Sequence, residues 1–114
     1  MKRLIEIRSY ALKAGTAEAF NETFVARVLP MLRESSIDVV AFGKSMHDDN
    51  AWYLIRAFDD LPDLTAREDA FYGSEAWKNG PREAIIGAID RYLDTLLWIS
   101  DEAIDDLRRS NPSA

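Results

Sequence analysis

The chain has no cysteine, one histidine, no basic cluster and no long apolar run, and each shortage removes a class of function. Without cysteine there are no disulfide staples, thiolate metal sites or thiol nucleophiles, a composition suited to a reducing compartment. With His47 alone, a two-histidine metal centre cannot form, and serine nucleophiles have no well-placed base to activate them. Lys and Arg are scattered singly apart from Lys2-Arg3 and Arg108-Arg109, and the formal net charge is −6. Duplex nucleic acid needs a concentrated basic surface, so it is not expected as a partner. No stretch approaches the roughly 18–20 apolar residues that cross a bilayer. The N-terminus passes at once into an alternating pattern without a leader, so a cytoplasmic location is expected. No glycine-rich phosphate loop or catalytic triad is present.

What is there is an ordinary globular mixture of 114 residues, 47% hydrophobic and 30% charged. That length suits one domain with a core that needs no staples. We expect it over residues 1–109, with 110–114 as a frayed tail.

Leu4 to Leu12 alternates with period two, which predicts a strand. Lys13-Ala14-Gly15-Thr16 turns the chain, with Thr16 as a potential helix cap. Phe20, Phe24, Val28, Met31 and Leu32 recur at helical spacing, and Pro30 inside that stripe predicts a kink or early end. Val39–Met46 and Ala51–Phe58 read as strands joined by the polar turn His47-Asp48-Asp49-Asn50. Asp59-Asp60-Leu61-Pro62-Asp63 starts a helix that runs to about Tyr72. A short turn holds Trp77, a helix is expected over Arg82–Leu93, and Thr95–Ser100 supplies a fourth strand. Asp101–Leu107 offers one or two further helical turns through Ile104 and Leu107.

The order βαββαβ is that of an α+β, ferredoxin-like fold: a four-stranded antiparallel sheet with both helices on one face. The small apolar set Ile5, Ile7, Ser9 and Ala11 suits the helix side. That sends Glu6, Arg8 and Tyr10 to the open side, joined by Trp52, Leu54, Arg56 and Phe58 of strand three and by Phe42 and Lys44 of strand two. Trp98 belongs there if strand four follows. Such aromatic residues make a patch of about 1,000 Å² at 150–250 Å² per ring, more than a monomer ordinarily exposes. A homodimer joined through its open sheet faces would cover it.

These same residues carry a resemblance to a family. Ile5-Glu6-Ile7-Arg8-Ser9-Tyr10-Ala11-Leu12-Lys13-Ala14-Gly15-Thr16 resembles the opening strand and turn of NIPSNAP proteins. Leu29-Pro30-Met31-Leu32-Arg33 is similar to the end of their first helix, Tyr53-Leu54-Ile55-Arg56-Ala57-Phe58-Asp59 to their third strand, and Phe71-Tyr72-Gly73-Ser74-Glu75-Ala76-Trp77 to the segment before their last helix. The resemblance implies the dimeric α/β barrel, in which two open sheets close on each other. Relatives of that barrel include cofactor-independent monooxygenases, haem-degrading enzymes, isomerases and structural proteins, so fold does not fix activity.

Glu6, Arg8 and Arg56 share a strand face, which makes them the candidate catalytic set: two arginines gripping an anion, with Glu6 as base. The other reading is an ion pair that fixes register or dimer geometry. Tyr10, Phe42, Lys44, Trp52, Phe58 and Trp98 are the candidate ligand-binding residues around them, lining a barrel interior for a small anionic or aromatic molecule. Packing explains Trp52, Trp77 and Trp98 equally. His47 reads as an exposed turn residue, and no metal or cofactor is expected. The alternative to an isomerase-like or cofactor-independent monooxygenase-like protein is a non-catalytic interaction module with a solid-packed barrel.

Overall fold

The computed structural model describes residues 1–112. Its elements are β1 (Lys2–Leu12), α1 (Ala17–Thr23), a π-helical turn (Phe24–Val28), α2 (Leu29–Glu34), β2 (Asp38–Lys44), β3 (Ala51–Phe58), α3 (Leu61–Tyr72), α4 (Glu75–Lys78), α5 (Arg82–Ala88), β4 (Ile89–Ser100) and α6 (Asp101–Ser110). All four strands pair antiparallel in the order β2-β3-β1-β4. This is the expected ferredoxin-like α+β architecture. The tail expected from residue 110 gives way to helix through Ser110, and residues 113–114 lie outside the described part.

Local chemistry explains the element ends. Gly15 takes φ +79° in the turn after β1, a conformation that suits a residue without a Cβ. Asp60 caps α3 by accepting from the Asp63 N–H at 2.8 Å, and Ser100 caps α6 by accepting from Ala103 N–H at 3.1 Å. Thr16 does not cap α1 as expected; its hydroxyl donates to the Lys13 carbonyl instead. Pro30 ends nothing. The Leu29 N–H reaches back five residues to the Phe24 carbonyl, so the turn before Pro30 widens into π form. The wider turn relieves the clash a proline ring makes with the carbonyl four residues earlier.

Two further expectations are corrected. The helix expected over Arg82–Leu93 stops at Ala88, and the rest of that stretch joins a twelve-residue β4. Apolar residues at 89, 92, 93 and 96 satisfy either period, and the ladder with the eleven-residue central β1 decides for strand. The second correction is the face. Leu4, Tyr10 and Leu12 of β1 and Trp52, Leu54 and Phe58 of β3 pack with Phe20, Phe24, Leu32, Phe71 and Trp77 of the helical layer. Glu6, Arg8 and Arg56 share their parity and therefore lie beneath the helices, not on the open side. Ile5, Ile55 and Ala57 face the other way, where Ile104 of α6 covers part of the sheet.

Candidate functional site

The alternation of β1 and the register of its neighbours build a charged cluster under the helices. Glu6 stands opposite Arg56 on β3, and Arg8 stands opposite Asp94 on β4. Arg8 grips Asp94 with two bonds, Nε to Oδ1 at 2.7 Å and Nη2 to Oδ2 at 3.0 Å, while its guanidinium lies 4.5 Å from the centre of the Tyr92 ring. Arg56 donates from Nε to Glu6 Oε1 at 2.9 Å and again from Nη2 to the same oxygen. Its Nη1 donates to the Tyr72 hydroxyl at 2.9 Å.

From above, α3 delivers Glu68 and Tyr72, four residues apart and so on one helix face. Glu68 Oε2 lies 3.1 Å from Arg56 Nη2, and Oε1 lies 3.8 Å from Arg8 Nη2. Glu6 and Arg56 are 1% and 0% exposed, and Arg8 is 9% exposed. Burial works against each guanidinium's charge, but Asp94 beside Arg8, and Tyr72 with the two glutamates beside Arg56, more than offset it. Burial and the neighbouring Glu6 push the Glu68 carboxyl up to about 7, against the pull of Arg56 and Arg8.

Above this cluster is a cavity of about 450 Å³ between sheet and helices. Arg8, Glu68 and Tyr72, with Asp69 and Arg82, supply its polar lining; Phe24, Leu54, Trp77 and Ile85 are among its apolar walls, and Ile86 and Tyr92 are lining residues that remain partly exposed. Phe24 and Val28, both in the widened turn, are wall residues too.

Of the residues singled out in the sequence, Arg8 and Tyr10 line this cavity, and Glu6 and Arg56 lie in the ion-pair cluster beside it. Phe58 is sealed in the core. Phe42 is half-buried and stacks against Phe24 and Trp52. Lys44 is exposed and pairs with Asp49; with Trp52 it borders a separate cleft near Asn21, which accepts from the Trp52 indole. Trp98 is half-exposed on β4 with the Lys2 ammonium over its ring. His47 is exposed beside Ser45. Among the described residues, no group of three or more His, Cys, Asp or Glu is placed to hold a metal, and no helix is long and apolar enough to cross a membrane.

Acidic groups outnumber basic ones in the cluster. Two guanidiniums, Arg8 and Arg56, meet three carboxylates, Glu6, Glu68 and Asp94. The sequence reading missed Glu68, Tyr72, Asp94 and Tyr92. A signal for the first existed: Glu68 falls on the buried stripe of α3 between Leu64 and Phe71.

Neither a family model nor a curated protein matches the chain. Solved structures do. A NIPSNAP family protein of unknown function from Agrobacterium tumefaciens superposes with TM-score 0.78 at 20% identity, covering 86% of this chain and 88% of that one. A second NIPSNAP family protein from the same organism gives 0.79 at 11% identity, with 87% of each chain covered. A NIPSNAP-like domain protein from Burkholderia xenovorans gives 0.76 at 19% identity and 83% of each chain. The likeness expected from the sequence is therefore found in the fold.

Proposed function

We propose that the chain binds a small molecule in the cavity between sheet and helices and acts on it by acid–base chemistry without a cofactor, in the manner of an isomerase or cofactor-independent monooxygenase. One observation carries this reading: a space of about 450 Å³, within the range of roughly 300–1,000 Å³ usual for ligand sites, combines apolar walls with the charged groups Arg8 and Glu68 of the buried cluster. An aromatic or aliphatic body fits against Phe24, Leu54, Trp77 and Ile85. A weakly acidic group fits beside Arg8, Glu68 and Tyr72. The site proposed from sequence thus keeps Glu6, Arg8 and Arg56 but moves from between two sheets to beneath one chain's helices.

The working unit in this reading is a homodimer in the cytoplasm. The aromatic set that first suggested dimerisation lies under the helices, but β4 supports it independently. This edge strand exposes Leu93 at 75% and Leu97 at 41% on the outer face. Unpaired strand edges and exposed leucines together favour a second chain.

The test is a thermal-shift series with benzoate, salicylate and the weak acid 2-naphthol. A probe near 100 times its dissociation constant should stabilise by about 2.7 kcal/mol, and Ile89→Trp, which fills the cavity from its wall, should abolish the shift. Silence from every probe would favour the interaction module with no ligand.

A further inference from the structure

The three carboxylates of the cluster are not equally served. Asp94 takes two bonds from Arg8, and Glu6 takes two from Arg56. Glu68 takes none that is well aligned: its Oε2 is buried without a hydrogen-bond partner, although Arg56 Nη2 is 3.1 Å away. A buried carboxylate that receives no aligned hydrogen bond is the one that keeps a proton. With three acids and two guanidiniums, one proton makes the cluster neutral. Glu68 is also the member of the Glu6–Glu68 pair that lines the cavity.

We propose that Glu68 is the proton-exchanging group of this site: the Glu6–Glu68 pair holds one proton, and Glu68 passes it to and from a ligand held beside Arg8. The inference rests on the small-molecule reading above and names its chemistry. The ligand class is a weak oxygen or carbon acid, such as an enolisable ketone or a phenol with an apolar body. In the forward step, in molecules whose pair has released its proton to solvent, the Glu68 carboxylate takes a proton from a ligand C–H or O–H, and this becomes the one proton the pair holds. The electron pair stays on the ligand as an enolate or phenolate, whose oxygen faces the Arg8 guanidinium. Return of the proton to a different atom completes an isomerisation, with nothing oxidised or reduced. Tyr72 accepts from Arg56, which leaves its own O–H free to be donated into the cavity.

Every element packed around Glu68 contributes to its proton affinity. β1 presents Glu6 and Arg8, β3 presents Arg56, β4 presents Asp94 through Arg8, and α3 itself presents Tyr72. Asp69 and Arg82 are further cavity residues. Burial and Glu6 raise the Glu68 carboxyl to about 7, in keeping with a group poised to exchange near neutrality.

The experiment is a carbon-13 titration of the glutamate side-chain carboxyls in the intact protein, with the Glu68 signal assigned by its loss in Glu68→Gln. Glu68 is expected to titrate near neutral pH, and its midpoint to fall by a unit or more in Glu6→Gln. A wild-type Glu68 that titrates in the ordinary carboxylate range overturns the proposal. A thermal shift with 2-naphthol, a phenol with an apolar body, separates the two readings. Binding with an ordinary Glu68 removes the proton exchange alone, whereas no binding with a neutral-range Glu68 removes the ligand step and leaves only a shared proton.

Discussion

Glu6 and Arg56 face each other directly across β1 and β3, are 1% and 0% exposed, and are joined through two guanidinium nitrogens on one carboxylate oxygen. Neither side chain reaches water, so each depends on the other for its charge. Removing one partner of such a pair typically costs about 3–5 kcal/mol, because the survivor stays buried and unpaired. Arg56→Met should therefore lose that much in urea unfolding, since Glu6 and Glu68 would then have only Arg8 at 3.7 and 3.8 Å. Arg56→Lys keeps the charge but not the fork, and should fall between. A loss under about 1 kcal/mol for Arg56→Met would show that the pair contributes little.

Glu68 gives the fold a pH dependence of definite sign. Its carboxyl moves from an ordinary 4.5 up to about 7 on folding, so between those values the native state binds more protons than the unfolded chain. Stability must then fall as pH rises through this window. A shift of that size corresponds to roughly 3 kcal/mol at 1.36 kcal/mol per unit. Glu68→Gln removes the penalty. Urea unfolding at pH 8 should find the variant more stable than wild type by up to about 3 kcal/mol, with the advantage vanishing by pH 4.5. An advantage that does not change with pH would show that Glu68 is not the titrating group.

The succession of elements, three of the four strand positions and the α3 start were legible because period-two alternation and capping chemistry are local signals. The face of the sheet was not. Charge was read as pointing outward, yet Glu6, Arg8 and Arg56 are buried because they have partners on other elements. Side-chain volume was the better guide. Leu4, Tyr10, Leu12, Trp52 and Phe58 share the parity of the charges and fill the thick layer under the helices, whereas Ser9, Ala11 and Ala57 lie on the thinner side. Residues 89–94 were misread for another reason. Their spacing fits a helix as well as a strand, and only the need of β1 for a partner on its second edge separates the two. Asp94 and Tyr92 were lost to the site with that assignment.

Asp38 ties α6 to the sheet and predicts a second pH effect of opposite sign. Its carboxylate accepts from Arg3 at 2.8 Å and from both terminal nitrogens of Arg108 at 3.0 and 3.2 Å, which holds Ile104 against Ile5 and Ala57. Burial works to raise this carboxyl, but the bonds from Arg108 and Arg3 outweigh it and hold it below the ordinary 3.8. The stabilisation is complete above that value and is lost as pH falls through the lowered one. Asp38→Asn should lose about 1–3 kcal/mol near pH 6, and the gap to wild type should narrow by pH 3. A gap that is unchanged at pH 3 would assign the loss to packing.

The homodimer prediction turns on β4. Leu93 and Leu97 lie on its outer face, opposite Ser9 and Ile5 of β1, and α6 covers only part of that face through Ile104. Both leucines are exposed, so replacing them leaves the chain's own core intact. Sedimentation equilibrium of wild type at micromolar concentration should give twice the 12.9 kDa chain mass. The double variant Leu93→Lys with Leu97→Lys should give one chain mass and an unchanged far-ultraviolet circular dichroism spectrum, because two facing pairs of lysines repel where leucines attracted. A charged variant that stays dimeric would move the interface to the other side of the strand, where Tyr92, Leu96 and Trp98 are 50%, 43% and 48% exposed. Those residues continue from the cavity wall at Tyr92, so a dimer made there would change access to the ligand site. The corresponding variant Leu96→Lys with Trp98→Lys separates the two sides, since only one of the pairs can break the dimer if the chains meet on a single face. A monomeric wild type would remove the dimer altogether and leave the cavity as a site that one chain completes alone.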